Sequence, residues 1–184
     1  MPDGLQRSEM IAFTLEHDYP AGLDRLWATL GQRDYVRQKY RALGARALRL
    51  RRFAATAEAI DVDLERDVVA DRAHLPAWVR VLTTERQTLR HRSAWHRNGP
   101  REAEAAIDIT LLGLPLQAHG RGTIRQLAPG ACRMTMDWRI ETTLPLAGDA
   151  ATLLFGREVR AALDADHDFT LRYLQSHPLP EALR

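Results

Sequence analysis

Arg66, His91, Ser93 and Asp166 are the polar residues of this sequence whose placement could do chemistry. In the stretch TLRHRSAWHR, Thr88 to Arg97, a period of two puts Leu89, His91, Ser93 and Trp95 on one face, with Arg90, Arg92, Ala94 and His96 on the other. As a catalyst, His91 would be the general acid or base, with Asp166 or Arg66 polarising an oxygen, in proton transfer on an enolisable substrate. Ser93 shares the face of His91. Residues two apart on a strand nevertheless stand about 6–7 Å from each other, too far for direct proton transfer, and no GxSxG turn is present.

Other candidates are thinner. His17 and Asp18 are adjacent on a strand and point to opposite faces, so they cannot pair. His91 and His96 differ in parity, no HxxxH or HExxH spacing occurs, and Cys132 is the only cysteine. No metal and no cofactor are expected, and a single thiol excludes a disulfide framework or a multi-thiolate zinc site. Gly120-Arg121-Gly122 lies inside a strand; it reads as relief of crowding where a sheet bends, not as a phosphate loop.

The elements that must position these residues follow from periodicity and punctuation. Met10–Tyr19 alternates, with Ile11, Phe13, Leu15 and His17 on one side, and Pro20 ends it. Leu23, Leu26, Trp27 and Leu30 fall at helical spacing before Gly31. Asp34 is the expected cap of a second short helix whose buried side holds Val36, Tyr40 and Leu43, with Gly44 as its stop. Six strands are then predicted over residues 46–53, 59–69, 88–97, 102–112, 116–127 and 131–144, separated by turn residues such as Asn98-Gly99-Pro100 and Pro129-Gly130. Within residues 71–86, His74-Leu75-Pro76 argues for a loop, and Ala77–Leu82 reads as a short strand or turn. After Pro145, with Asp149 as a cap, a long helix runs to about Gln175, carrying Phe155, Val159, Ala162, Leu163, Asp166, Phe169 and Tyr173 on one stripe. The expected organisation is a flexible segment 1–9, one domain over 10–176 and a loose tail over 177–184.

Many antiparallel strands and one long amphipathic helix make an α+β domain, with the helix packed on the inner face of the sheet. Charge supplies the strand order. Asp61, Asp63, Glu65 and Asp67 face outward on one strand; Arg49 and Arg51 face outward on the strand before it, and Arg90 and Arg92 on the strand after. Opposite-charge cross-strand neighbours contribute roughly 0.2–1 kcal/mol each, so these three strands are predicted to be adjacent in chain order.

The same ladder bears on partners. The chain has 184 residues, 45% hydrophobic and 27% charged, with a net charge of +2. Lys39 is the sole lysine among many arginines. RALRLRRF looks basic alone, but its outward arginines face the acidic row, and no aromatic residues interleave as a base-stacking surface would need. Nucleic acid is therefore not an expected partner. No segment is apolar and long enough to be a signal peptide or to span a bilayer, so a cytoplasmic protein without membrane insertion is expected.

Two stretches carry a resemblance. FTLEHDYPAGLDRLWATLGQRDY (13–35) and IETTLPLAGDAATLLFGREVRAALDADHDFTLRYL (140–174) resemble the opening strand and first helix, and the last strand and grip helix, of the START-like superfamily. That superfamily includes polyketide cyclases, lipid-transfer domains and the major birch-pollen allergen. More narrowly, the chain is similar to a bacterial branch known only as a domain of unknown function. Related sequences often open the first helix with Ser-Pro where Gly22 and Leu23 stand here, which predicts a poorer cap. The resemblance implies a strongly curved antiparallel sheet of about seven strands gripping the long C-terminal helix, two short helices after the first strand, and a cavity for a hydrophobic or amphipathic molecule such as a lipid or polyketide. It supplies no catalytic residue.

Under that fold, parity lists the inner face. Phe13, Leu64, His91, Ser93 and Trp95 come from the early strands, Met134, Met136 and Trp138 from the last strand, and Phe155, Val159, Leu163 and Asp166 from the helix. Methionines beside tryptophan make an adaptable wall suited to an irregular apolar ligand, although the same residues could simply fill a core. Buried charges cost several kcal/mol unless paired, so four inward polar residues favour a cavity holding the polar end of a ligand. The alternatives are a pair such as Arg66 with Asp166, or His91 bonded to a backbone carbonyl. Three readings follow: a binding module for a small apolar ligand, a cyclase- or dehydratase-like enzyme using His91, or a partner-binding domain with a filled core.

Overall fold

The opening strand shows how sequence becomes layer. In β1 (Glu9–Tyr19) Ala12, Thr14, Glu16 and Asp18 are exposed, while His17 and Tyr19 are buried. The structure is a computed structural model that describes residues 9–69, 86–142 and 148–177. Its remaining elements are α1 (Leu23–Leu30), α2 (Arg33–Ala42), β2 (Arg46–Ala55), β3 (Ala59–Val69), β4 (Arg86–Arg97), β5 (Glu102–Leu111), β6 (Leu116–Ala128), β7 (Ala131–Thr142) and α3 (Gly148–Ser176). The segments expected at 71–85, around Pro145 and in most of the two tails lie outside the described residues. Among the described residues, no helix is long and apolar enough to cross a membrane.

Among the described residues, seven strands form one curved antiparallel sheet in the order β1-β7-β6-β5-β4-β3-β2. β2, β3 and β4 are therefore neighbours in chain order, as the charge ladder predicts. Arg90 makes a two-pronged pair with Asp63, at 3.1 Å from Nε and 2.7 Å from Nη2. Across β2, Arg51 pairs with Glu65 and Arg52 with Asp61. The involvement of Arg52 departs from strict alternation. Ala47 has φ +48, and the register of β2 slips on both sides of Leu50, so its faces do not simply alternate.

The short helices also differ in detail. Gly22 precedes α1 because a Cβ there would lie 2.4 Å from the Pro129 carbonyl oxygen. The cap that a serine would supply comes from another strand: Leu23 N–H donates to Gln126 Oε1 at 2.7 Å. α2 begins at Arg33 with Gln32 at its cap, so Asp34 sits in the first turn and favours the helix dipole from there. Tyr35, Val36 and Tyr40 are its buried residues, and Gly44, at φ +76, stops it as expected. α3 starts at Gly148, which places Asp149 inside its first turn.

Gly120 and Gly122 have a more specific role than relief of a bend. A Cβ on Gly120 would stand 2.9 Å from the Trp138 ring, and one on Gly122 would stand 2.8 Å from the Trp95 ring. The two glycines let the Trp138 and Trp95 rings approach the β6 backbone closely.

Candidate ligand site

A cavity of about 80 Å³ lies between the sheet, α2 and α3. Its sheet side is Met134, Met136 and Trp138 of β7, His91, Ser93 and Trp95 of β4, and Ile60 and Val62 of β3. Tyr35, Val36, Lys39 and Tyr40 enter from α2, Leu163, Asp166, His167 and Thr170 from α3, and His17 and Tyr19 from β1. By the space one water needs, this holds roughly half a dozen waters or a small molecule of similar size.

The expected residues divide. His91, Ser93, Trp95, Met134, Met136, Trp138, Leu163 and Asp166 come together on the wall. Leu64, Phe155 and Val159 are buried in packing away from it, and Phe13 is half-buried with the Arg160 guanidinium 4.5 Å from its ring. Arg66 is buried behind Tyr40 and does not line the cavity.

The polar end is built around a residue that apolar spacing does not pick out. Lys39 Nζ lies 2.9 Å from Asp166 Oδ2 and sits over the rings of Tyr35 and Tyr40, at 5.3 and 5.1 Å. The pair anticipated between Arg66 and Asp166 does not form. Tyr35 Oη is 2.6 Å from Thr170 Oγ1, and Thr170 donates to the Asp166 carbonyl at 2.8 Å. Tyr40 Oη lies 3.3 Å from His91 Nδ1, and the Arg66 guanidinium stacks 4.9 Å from the Tyr40 ring. The signal for Lys39 was its position: 35, 36, 39 and 40 share one helical face, so the only lysine falls on the buried side of α2.

Charge states follow from these contacts. Burial, then the positive charges of Lys39 and Arg66, push the His91 imidazole down to about 3, so it is neutral in ordinary buffer. Burial raises the Tyr40 phenol despite the pull of Lys39 and Arg66, so it keeps its proton. Burial opposes the charge on Lys39, but Asp166 and the flanking phenols outweigh it and hold the amine cationic. Burial, then Asp18, lift the Cys132 thiol to about 11. Near neutrality the polar end therefore carries a cationic Lys39 beside a neutral Tyr40 and a neutral His91.

A second cluster closes the β1 side. His17 Nε2 lies 3.0 Å from Asp164 Oδ1, and its ring stacks on His167 with centroids 4.3 Å apart. Asp18, facing outward, pairs with Arg133 at 2.6 Å, so His17 and Asp18 do point apart. Three buried polar atoms have no partner among the described residues: His17 Nδ1, Trp138 Nε1 and Arg66 Nε. The first two belong to residues that line the cavity.

Comparison with known proteins agrees with this architecture. The fold is similar to that of the Zhui aromatase/cyclase from Streptomyces sp. R1128, with a TM-score of 0.58, 13% identity, and 91% of this chain and 94% of that one covered. It is also similar to norcoclaurine synthase from Thalictrum flavum, with a TM-score of 0.54, 11% identity and 92% and 89% coverage. TTHA0849 from Thermus thermophilus matches with a TM-score of 0.53, 11% identity and 89% and 99% coverage. At such identities the likeness establishes the START-like helix-grip fold and transfers no residue. No curated protein sequence matches the chain. The profile of one family, described as "Protein of unknown function (DUF2505)", matches residues 14–174, and the chain belongs to that family.

Proposed function

We propose that the domain is a binding module that holds a small amphipathic molecule between sheet and C-terminal helix. One observation carries the reading: an apolar wall of Met134, Met136, Trp95 and Trp138 faces a polar end of fixed charge, and two lining residues present buried polar atoms without partners among the described residues. An unsatisfied buried donor or acceptor costs about 1–3 kcal/mol, which a ligand or a water in the cavity would recover. Size narrows the ligand. Pockets for drug-sized molecules run to roughly 300–1,000 Å³, so about 80 Å³ suits a molecule on the scale of one aromatic ring. A lipid or a polyketide would require the walls to move.

The competing reading is a cyclase-like enzyme using His91. An imidazole at about 3 has no proton to give near neutrality and is a weak base, which favours binding. The test is titration with an environment-sensitive apolar dye, displaced by one-ring phenols or acids. Stoichiometric, saturable uptake that survives His91→Ala supports the module. Absence of uptake by the unmodified protein would end the proposal and favour a filled core.

A further inference from the structure

Resting on that reading, the charges at the polar end name the ligand more closely. Lys39 and Asp166 face each other at 2.9 Å and cancel. Arg66 has no such counter-charge among the described residues. It is 8% exposed, its Nε makes no hydrogen bond, and its guanidinium rests on the Tyr40 ring. Its chain neighbours Glu65 and Asp67 are engaged elsewhere, Glu65 with Arg51 and Asp67 with Thr88. Among the described residues, the interior therefore carries one uncompensated positive charge, immediately behind a residue of the cavity wall.

A lone buried cation is costly, and its field reaches farther in a protein interior than in water. Burial first, then the positive charges of Lys39 and Arg66, keep His91 neutral. Tyr40 keeps its phenolic proton, and its Oη lies 3.3 Å from His91 Nδ1, a contact in which either atom can be the donor. With Lys39 and Asp166 cancelling, the Arg66 guanidinium, unbalanced among the described residues, presents positive potential to whatever occupies the cavity. We infer that the domain selects monoanionic ligands, namely small one-ring carboxylates whose charge balances Arg66 while the ring lies on the Met134–Met136–Trp138 wall. A monoanion fits because, among the described residues, one positive charge is left over. Arg66 sets this preference through its charge from behind Tyr40, without lining the site.

The test compares benzoate and phenylacetate with benzamide and phenylacetamide at pH 7, by calorimetric titration of the full chain, the Arg66→Met variant and the Arg66→Lys variant. The acids are expected to bind about tenfold more tightly than the amides, to lose that advantage in Arg66→Met and to keep most of it in Arg66→Lys. Equal binding of acids and amides by the unmodified protein overturns the inference and leaves the cavity reading standing. No binding of either class sinks both. An acid preference that persists in Arg66→Met assigns the anion to other arginines and overturns the role of Arg66.

Discussion

His91 shows how a residue can be legible in position and misread in use. Strand parity placed it inward beside Ser93 and Trp95, and it does line the cavity. Its protonation was not legible, because that depends first on how deeply the fold buries it and then on Lys39 and Arg66, which reach it from a helix and another strand. Folding holds His91 well below its ordinary 6.5, so acid drives protons onto the unfolded chain first. The contribution of this group to stability is full above about 6.5 and declines as pH falls from there toward about 3. Urea unfolding at a series of pH values is expected to show that loss, with a limiting slope of about tenfold in the folding constant per pH unit for one proton. His91→Gln is expected to flatten it. An unchanged slope in the variant would mean that His91 is not held neutral by the fold. Lys39 is hard to read at this scale because the buried side of a helix is sought through apolar spacing, and a lysine on that side breaks the rule.

At the level of elements, most of the fold was written in alternation and charge. The order of β2, β3 and β4 followed from an acidic strand between two arginine strands, and the helix stop at Gly44 followed from residue type. What escaped was supplied by tertiary contact. The α1 cap comes from Gln126 on β6, and the bulges of β2 bring Arg52 into the ion-pair ladder. The paired glycines of β6 likewise have meaning only once Trp95 and Trp138 are seen lying on them. Gly122→Ala is expected to push the Trp95 ring toward the cavity and to cost about 1–3 kcal/mol, as overpacking does. Gly130→Ala, where a new Cβ meets nothing within 4 Å, serves as the control and is expected to be nearly neutral in thermal unfolding. Equal effects from the two would remove the glycines' role in seating the indoles.

Across the whole molecule, the grip of the sheet on α3 leaves a small chamber with chemically distinct ends. The sequence could predict inward residues strand by strand. It could not say which of them meet: Leu64, Phe155 and Val159 share the right faces but are spent on packing, while Lys39, His17 and His167 complete the wall. Nor could it give the volume, which depends on how far α2 leans over the sheet. The most direct measurement is the indole N–H region of a nitrogen-15 correlation spectrum during titration with phenylacetate. Trp138 has no hydrogen-bond partner for its indole among the described residues and lines the cavity, as does Trp95. Trp27 is engaged elsewhere, donating to the Thr56 carbonyl at 3.2 Å. Saturable shifts of the Trp138 and Trp95 signals, with Trp27 unmoved, are the predicted result. Spectra in which Trp138 and Trp95 stay fixed to saturating phenylacetate, benzoate and their amides would contradict it.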